Sequence, residues 1–173
     1  AQTGDRLPPI HWGRVGDPIK PSIYDYYALS KVKAERYLIE SDLAYWVSLR
    51  QTGIIGKDMY KKSSEAIMFH NGLNNVLEYI SDRDSGKLLN NLWYKELNGT
   101  LDPSFWNHIY NVGGGEATRV DTITLFENVY KILGIKDLKY VINPKLFASC
   151  NFHGTYYLDS DILNDYLDFR SDS

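Results

Sequence analysis

Between Tyr26 and Glu40 the chain drops glycine and proline and sets Ala28, Val32, Glu35 and Ile39 on one stripe beside Tyr27, Lys31, Ala34 and Leu38. That spacing predicts one helix of about four turns. Ser41-Asp42 closes it, and Tyr45-Trp46-Val47-Ser48-Leu49, rich in strand formers, runs on to Gly53 and Gly56. Helix, tight turn, strand and glycine-bearing loop is the grammar of an α/β unit with a parallel strand. The stretch before it, Gly4 to Pro21, is so dense in glycine and proline that it reads as a long loop. Further on, Asn74 to Ile80 fits strand or helix by periodicity, whereas Ser85 to Leu97 reads as helix. His108 to Val112 predicts a strand, followed by Gly113-Gly114-Gly115 and then by Thr124-Leu125-Phe126-Glu127, which has the capping-box form ahead of an apolar run. That helix is expected to stop at Gly134. Lys139 to Ile142 reads as a further strand, and Asp159 to Asp172 as an amphipathic helix with a solvated acidic face.

Composition narrows the class. The 173 residues are 43% apolar and 24% charged, with no run near the roughly 20 apolar residues of a membrane span, so disordered, collagen-like and transmembrane readings fail. The single cysteine, Cys150, cannot form an internal disulfide, which fits a reducing compartment, the cytoplasm by default. A net charge of -3 and no five-residue window crowded with Lys and Arg offer nothing to a phosphate backbone or an anionic membrane. No nucleic acid or membrane partner is expected. The 14 tyrosines and 4 tryptophans suit ligand grooves and subunit interfaces as well as cores, so a homodimer stays open. Ala1-Gln2-Thr3-Gly4 has neither the initiator methionine nor the charged and apolar zones of a signal peptide, and the start reads as interior to a longer chain.

The chemistry begins with Tyr27 and Lys31. Four residues apart on one helix, their side chains rise over the same face and can touch one substrate. Such a pair is common by chance in so tyrosine-rich a chain, and its plain reading is an exposed helix face. Acid/base work near neutral pH needs a phenol, ordinarily titrating near 10, stabilised as phenolate by about 4 kcal/mol. A fixed ammonium with a second positive charge in a partly dry site supplies that, and an oxidised nicotinamide is one such charge.

Context favours the chemical reading. Tyr27-Ala28-Leu29-Ser30-Lys31, continuing to Ala34-Glu35, precedes Leu49-Arg50-Gln51-Thr52-Gly53-Ile54-Ile55-Gly56 by about a dozen residues, and Tyr110-Asn111-Val112-Gly113-Gly114-Gly115-Glu116 follows. In this order and spacing they resemble the catalytic helix, the following strand and loop, and the Tyr-Asn-Val-Gly strand end of the extended short-chain dehydrogenase/reductases, a family that includes NAD-dependent epimerases and dehydratases. Ser81 to Leu88 sits where that family has an Asp-containing segment opening a helix. The resemblance covers the chain from about Pro18 to Gly134.

It implies the C-terminal part of a Rossmann-like doubly wound sheet plus a small C-terminal substrate-binding lobe. Residues 1–62 and 108–146 fall to the first, and residues 63–107 and 147–173 to the second. It also implies NAD or NADP as cofactor and a sugar or sugar nucleotide as substrate. Tyr27 inherits the role of general acid/base, and Lys31 that of holding the nicotinamide ribose and stabilising the phenolate. The family's third catalytic residue, a Ser or Thr, falls on Thr3 by spacing, or ahead of Ala1 if aligned on Gly4. The family's loop usually reads Arg-Pro-x-Asn and lies against nicotinamide and substrate, which assigns Gln51 and Thr52 to the cofactor and Gly53 to the substrate. Gln51 replaces the proline and Gly53 the asparagine, so the usual sugar-nucleotide contact is in doubt. No Gly-x-x-Gly-x-x-Gly follows an N-terminal strand, which implies that the dinucleotide-binding half lies outside this sequence. The alternative is an inactive relative that binds cofactor or a partner.

The remaining candidates are bland. Gly113-Gly114-Gly115-Glu116-Ala117-Thr118 imitates a dinucleotide loop but fails at its third glycine, and Asp137, near the expected place for a ribose-binding acid, follows a helix end; a tight backbone turn explains the glycines better. His11, His70, His108 and His153 are isolated, so no metal site is expected. Cys150 has no neighbour to activate it and reads as a small buried residue. Arg119 either meets a phosphate or carboxylate or, more simply, is exposed.

Overall fold

The computed structural model describes residues 12–19, 21, 23–57, 72–149 and 154–171. Thr3, His11, His70, Cys150 and His153 lie outside them. Among the described residues the chain is mixed α/β, with four α-helices and four two-stranded sheets. The longest pair joins β2 (Val47–Gln51) to β6 (His108–Val112) in parallel, Val47 opposite His108 and Gln51 opposite Val112. β3 (Ile54–Ile55) runs parallel to β5 (Ile80–Ser81), and β1 (Trp12–Gly13) parallel to β8 (Tyr156–Tyr157). β4 (Val76–Glu78) and β7 (Arg119–Asp121) form the antiparallel pair.

The helices follow their caps. α1 (Tyr26–Ile39) starts where the Asp25 carboxylate accepts from the Ala28 N–H at 2.8 Å. α2 (Asp82–Leu97) starts on Ser81, whose hydroxyl accepts from the Asp84 N–H at 3.0 Å, with Asp82 and Asp84 at the positive end of the helix. α3 (Thr122–Ile132) is capped by Asp121, three residues before the cap that the Thr124-to-Glu127 capping box predicts, because Asp121 takes the Thr124 N–H at 2.8 Å. Gly134 ends it as expected, at φ 83°. α4 (Ser160–Leu167) is the predicted amphipathic tail, shortened by Asp168 in the left-handed conformation.

Two expectations need correction. Within the predicted N-terminal loop, Trp12–Gly13 is a short strand paired to β8. Lys139 to Ile142 is not a strand: Asp137 accepts the Lys139 N–H at 3.0 Å and starts a 3-10 turn over Leu138–Tyr140. A 3-10 turn (Glu116–Thr118) and β7 lie between the triple glycine and α3.

One hydrophobic cluster draws on segments far apart in the chain: Ile80, Leu88, Leu101, Phe105, Tyr110, Val112, Leu163, Leu167 and Phe169. Phe105 and Tyr110 stack with centroids 5.3 Å apart, and Tyr166 meets both rings edge-on. α4 packs on β6 and α2, so the end of the chain seals the core. No helix among the described residues is long and apolar enough to cross a membrane.

Candidate functional site

α1 buries only Ala28 of its own residues, yet it is held firmly to β2 by charge. Arg50 forks onto Glu35, Nη2 to Oε1 at 2.7 Å and Nε to Oε2 at 3.0 Å, while the Ser48 hydroxyl donates to Oε2 at 2.8 Å. The pair is largely buried, at 10% and 13% side-chain exposure. Burial pushes the Glu35 carboxyl up, but the Arg50 and Ser48 hydrogen bonds and the guanidinium charge outweigh it and hold the group below its ordinary value. Arg50 also donates to the Val15 carbonyl at 3.1 Å, and the Val15 N–H to Asp159 at 2.7 Å, bringing the 12–19 segment to the same edge.

This docking aims one side of α1 at the C-terminal end of β2. Tyr27, Lys31, Gln51, Thr52 and Gly53 line one open cleft of about 610 Å³, together with Glu35, Arg50, Leu77 and Tyr157. The five residues nominated from the sequence are therefore brought together. Lys31 Nζ lies 5.3 Å from the Tyr27 ring centroid, over its face. Tyr27 is 66% exposed, so in this arrangement water screens the attraction between them. Lys31 forms no ion pair among the described residues. Gln51 accepts from the Ser85 hydroxyl at 3.5 Å. A Cβ at position 53 would come within 2.9 Å of both Leu77 Cδ2 and Tyr79 Cε1, so a side chain there would press on both.

Leu77 and Tyr157 had no signal in the sequence. They reach the cleft from β4 and β8 through the long-range Glu78 cluster behind them. Glu78 is fully buried; its Oε1 accepts from the Ser160 hydroxyl at 2.5 Å and the Gly115 N–H at 3.1 Å, its Oε2 from Arg119 Nε at 2.9 Å and the Tyr157 N–H at 3.2 Å. Arg170 Nη2 lies 3.8 Å away and Nε donates to the Gly113 carbonyl at 3.0 Å. The glycine turn thus wraps an internal carboxylate: Gly115 sits at φ 90°, and a Cβ on Gly113 would strike Glu78 Oε1. Arg119 meets that carboxylate, which corrects the exposed reading of it.

Of the histidines, His108 is described, exposed, its Nδ1 bonded to the Trp106 carbonyl at 2.7 Å. A larger cleft of about 840 Å³ between α3 and the 3-10 turn at 138–140, lined by Ile123, Lys131 and Ile142, carries none of Tyr27, Lys31, Gln51, Thr52 and Gly53. Chemistry, more than size, therefore singles out the cleft beside α1. Neither known family models nor curated proteins give a match to the chain.

Proposed function

We propose that these residues belong to an NAD- or NADP-dependent epimerase, dehydratase or reductase of the extended short-chain dehydrogenase/reductase type, acting on a sugar or sugar-nucleotide-like alcohol within a Rossmann-like sheet. The observation that carries the reading is the convergence of Tyr27, Lys31, Gln51, Thr52 and Gly53, nominated from separate motifs, on one cleft. Its volume lies in the range of small-molecule sites. The donor set fits a nicotinamide ribose: Lys31 is an ammonium without an ion pair among the described residues, four residues from a phenol, and Gln51 lines the same cleft.

When bound, the nicotinamide supplies the hydride acceptor. Tyr27 takes the proton of the substrate hydroxyl as the carbinol C–H electrons leave with hydride, so the carbon–oxygen single bond becomes a carbonyl; reduction is the reverse. Lys31 would hold the ribose hydroxyls beside Tyr27, and its attraction to the ring would strengthen once ligands displaced water from that exposed side chain. The Glu35–Arg50 fork keeps α1, and with it both side chains, at the end of β2.

Calorimetric titration of the full-length protein with NAD and NADP, followed by turnover across sugar alcohols and UDP-sugars, tests this. Tyr27→Phe should bind cofactor nearly as before while losing at least about 10²-fold in rate. Lys31→Met should lose both. A Phe variant with unchanged turnover would sink the assignment, and unaltered cofactor affinity in Lys31→Met would remove Lys31 from the ribose.

A further inference from the structure

One residue that the resemblance gives to the cofactor has a hydroxyl with no partner among the described residues. Thr52 is 9% exposed, and its Oγ1 is buried with no hydrogen bond among the described residues. Buried hydroxyls are nearly always partnered, and one that faces a cleft has a ligand or water as its natural partner. The Tyr157 phenol shares that wall. It lies near enough for the Thr52 hydroxyl to influence its titration, yet the two oxygens fall short of hydrogen-bond geometry.

We propose that the Thr52 and Tyr157 hydroxyls form an oxygen subsite for the substrate, one that takes an uncharged hydroxyl or carbonyl and excludes phosphate. This rests on the nicotinamide-dependent reading of the cleft and names the substrate class within it: a neutral alcohol or ketone of the sugar type. Tyr157 is fixed for the task from both sides of its backbone, its N–H on Glu78 at 3.2 Å and its carbonyl accepting from Arg119 Nη2 at 3.1 Å. Its phenol stays a donor at neutral pH: burial pushes it up to about 12, Thr52 and Arg50 pull it down by less, and Glu78 and Asp159 add to the rise. Thr52 can accept as well as donate, and the pair matches the two faces of a hydroxyl oxygen or the lone pairs of a carbonyl.

A phosphate fits poorly. It wants free cations and several donors, but Lys31, the ammonium of this cleft without an ion pair among the described residues, is engaged by the ribose in this reading, and the guanidiniums nearest this wall are already held by carboxylates: Arg50 by Glu35, Arg119 by Glu78, Arg170 by Glu78 and Asp161. A dianion beside Tyr157 would also face the charge of Asp159. Leu77, packed toward Gly53, makes the adjoining surface apolar. Gly53 itself has no side chain with which to grip a sugar nucleotide.

The test uses a matched pair of probes, dihydroxyacetone and dihydroxyacetone phosphate, on the full-length protein saturated with NADH or NADPH, with affinities read by saturation-transfer NMR. Cofactor affinity is measured first. If neither cofactor binds, the functional reading falls and takes the subsite with it. With cofactor bound, dihydroxyacetone should bind and its phosphate should bind about tenfold more weakly. Thr52→Val and Tyr157→Phe should each weaken dihydroxyacetone about tenfold, the worth of one hydrogen bond, and the Phe variant should leave cofactor affinity unchanged. Thr52→Ser, which keeps the hydroxyl, should restore it and so separates lost recognition from lost folding. Equal or tighter binding of the phosphate, no binding of dihydroxyacetone to the cofactor-loaded protein, or unchanged affinity in both the Val and Phe variants would each overturn the subsite while leaving the functional reading standing.

Discussion

Glu35 and Glu78 are both carboxylates gripped by arginine, and they differ in what they join. Glu78 is fully buried and ties β4 to Gly115, Arg119, Tyr157 and Ser160, partners up to 82 residues away. Glu35 keeps some exposure and ties α1 to Ser48 and Arg50, the farther of them 15 residues on. The first holds elements whose order in the chain gives them no local reason to meet. The second sets the angle of a helix that hardly packs, since α1 buries Ala28 while leaving Tyr26, Tyr27, Leu29 and Tyr37 exposed. One ion pair maintains the fold; the other aims the candidate catalytic face.

The sharpest break of that contrast is Glu78→Gln. It keeps the shape but leaves Arg119 short of its counter-charge and, among the described residues, Arg170 with Asp161 as its one carboxylate. Removing one partner of a buried pair costs about 3–5 kcal/mol. Urea unfolding should show that loss, and a loss no greater than that of Glu35→Gln would erase the distinction drawn here.

The same contrast explains what could be read in the sequence. α1, β2 and β6 were legible because periodicity, strand formers and glycine stops are local signals, and the five cleft residues were legible because motif order carries them. The Glu78 cluster was not, because a glutamate amid Asn74 to Ile80 looks like any polar position until Arg119, Tyr157 and Arg170 arrive from elsewhere. Tyr157 shares that fate: its place in the cleft depends on a two-residue pairing with β1 and on the Glu78 carboxylate. Lys139 to Ile142 misled for the opposite reason, since strand propensity there yields to the local hydrogen bond that the Lys139 N–H donates to Asp137. The glycine run misled less, for a tight turn was the favoured reading, though not the carboxylate it encloses.

Glu35→Gln is the intermediate case. It forfeits charge-assisted hydrogen bonds worth about 1.5–3 kcal/mol and frees α1 to swing, so the loss should appear in turnover as well as in stability. The pH dependence has a definite sign. The folded carboxyl titrates below its ordinary value of 4.5, so its contribution is complete above that value and disappears as the pH falls through the lower, folded one. Wild type and variant should therefore differ most at neutral pH and converge in acid. A gap that widened on acidification would mean that the Arg50 fork is not what holds the helix.

Ser48→Ala has the smallest expected effect and probes the fork most finely. The Ser48 hydroxyl and Arg50 Nε both donate to Glu35 Oε2, at 2.8 and 3.0 Å. Deleting the hydroxyl leaves the ion pair intact and removes one of the hydrogen bonds that favour the charged form, at a cost of about 0.5–1.5 kcal/mol at neutral pH. Because that bond favours carboxylate over carboxylic acid, the Glu35 titration followed by carboxyl NMR should move up toward the ordinary value, and the acid limb of the stability curve should move up with it. Below the folded value the destabilisation should shrink, since the protonated group gains less from the donor. A stability loss of the same size at every pH would mean that Ser48 acts through packing at β2 and that Arg50 alone sets the charge of Glu35.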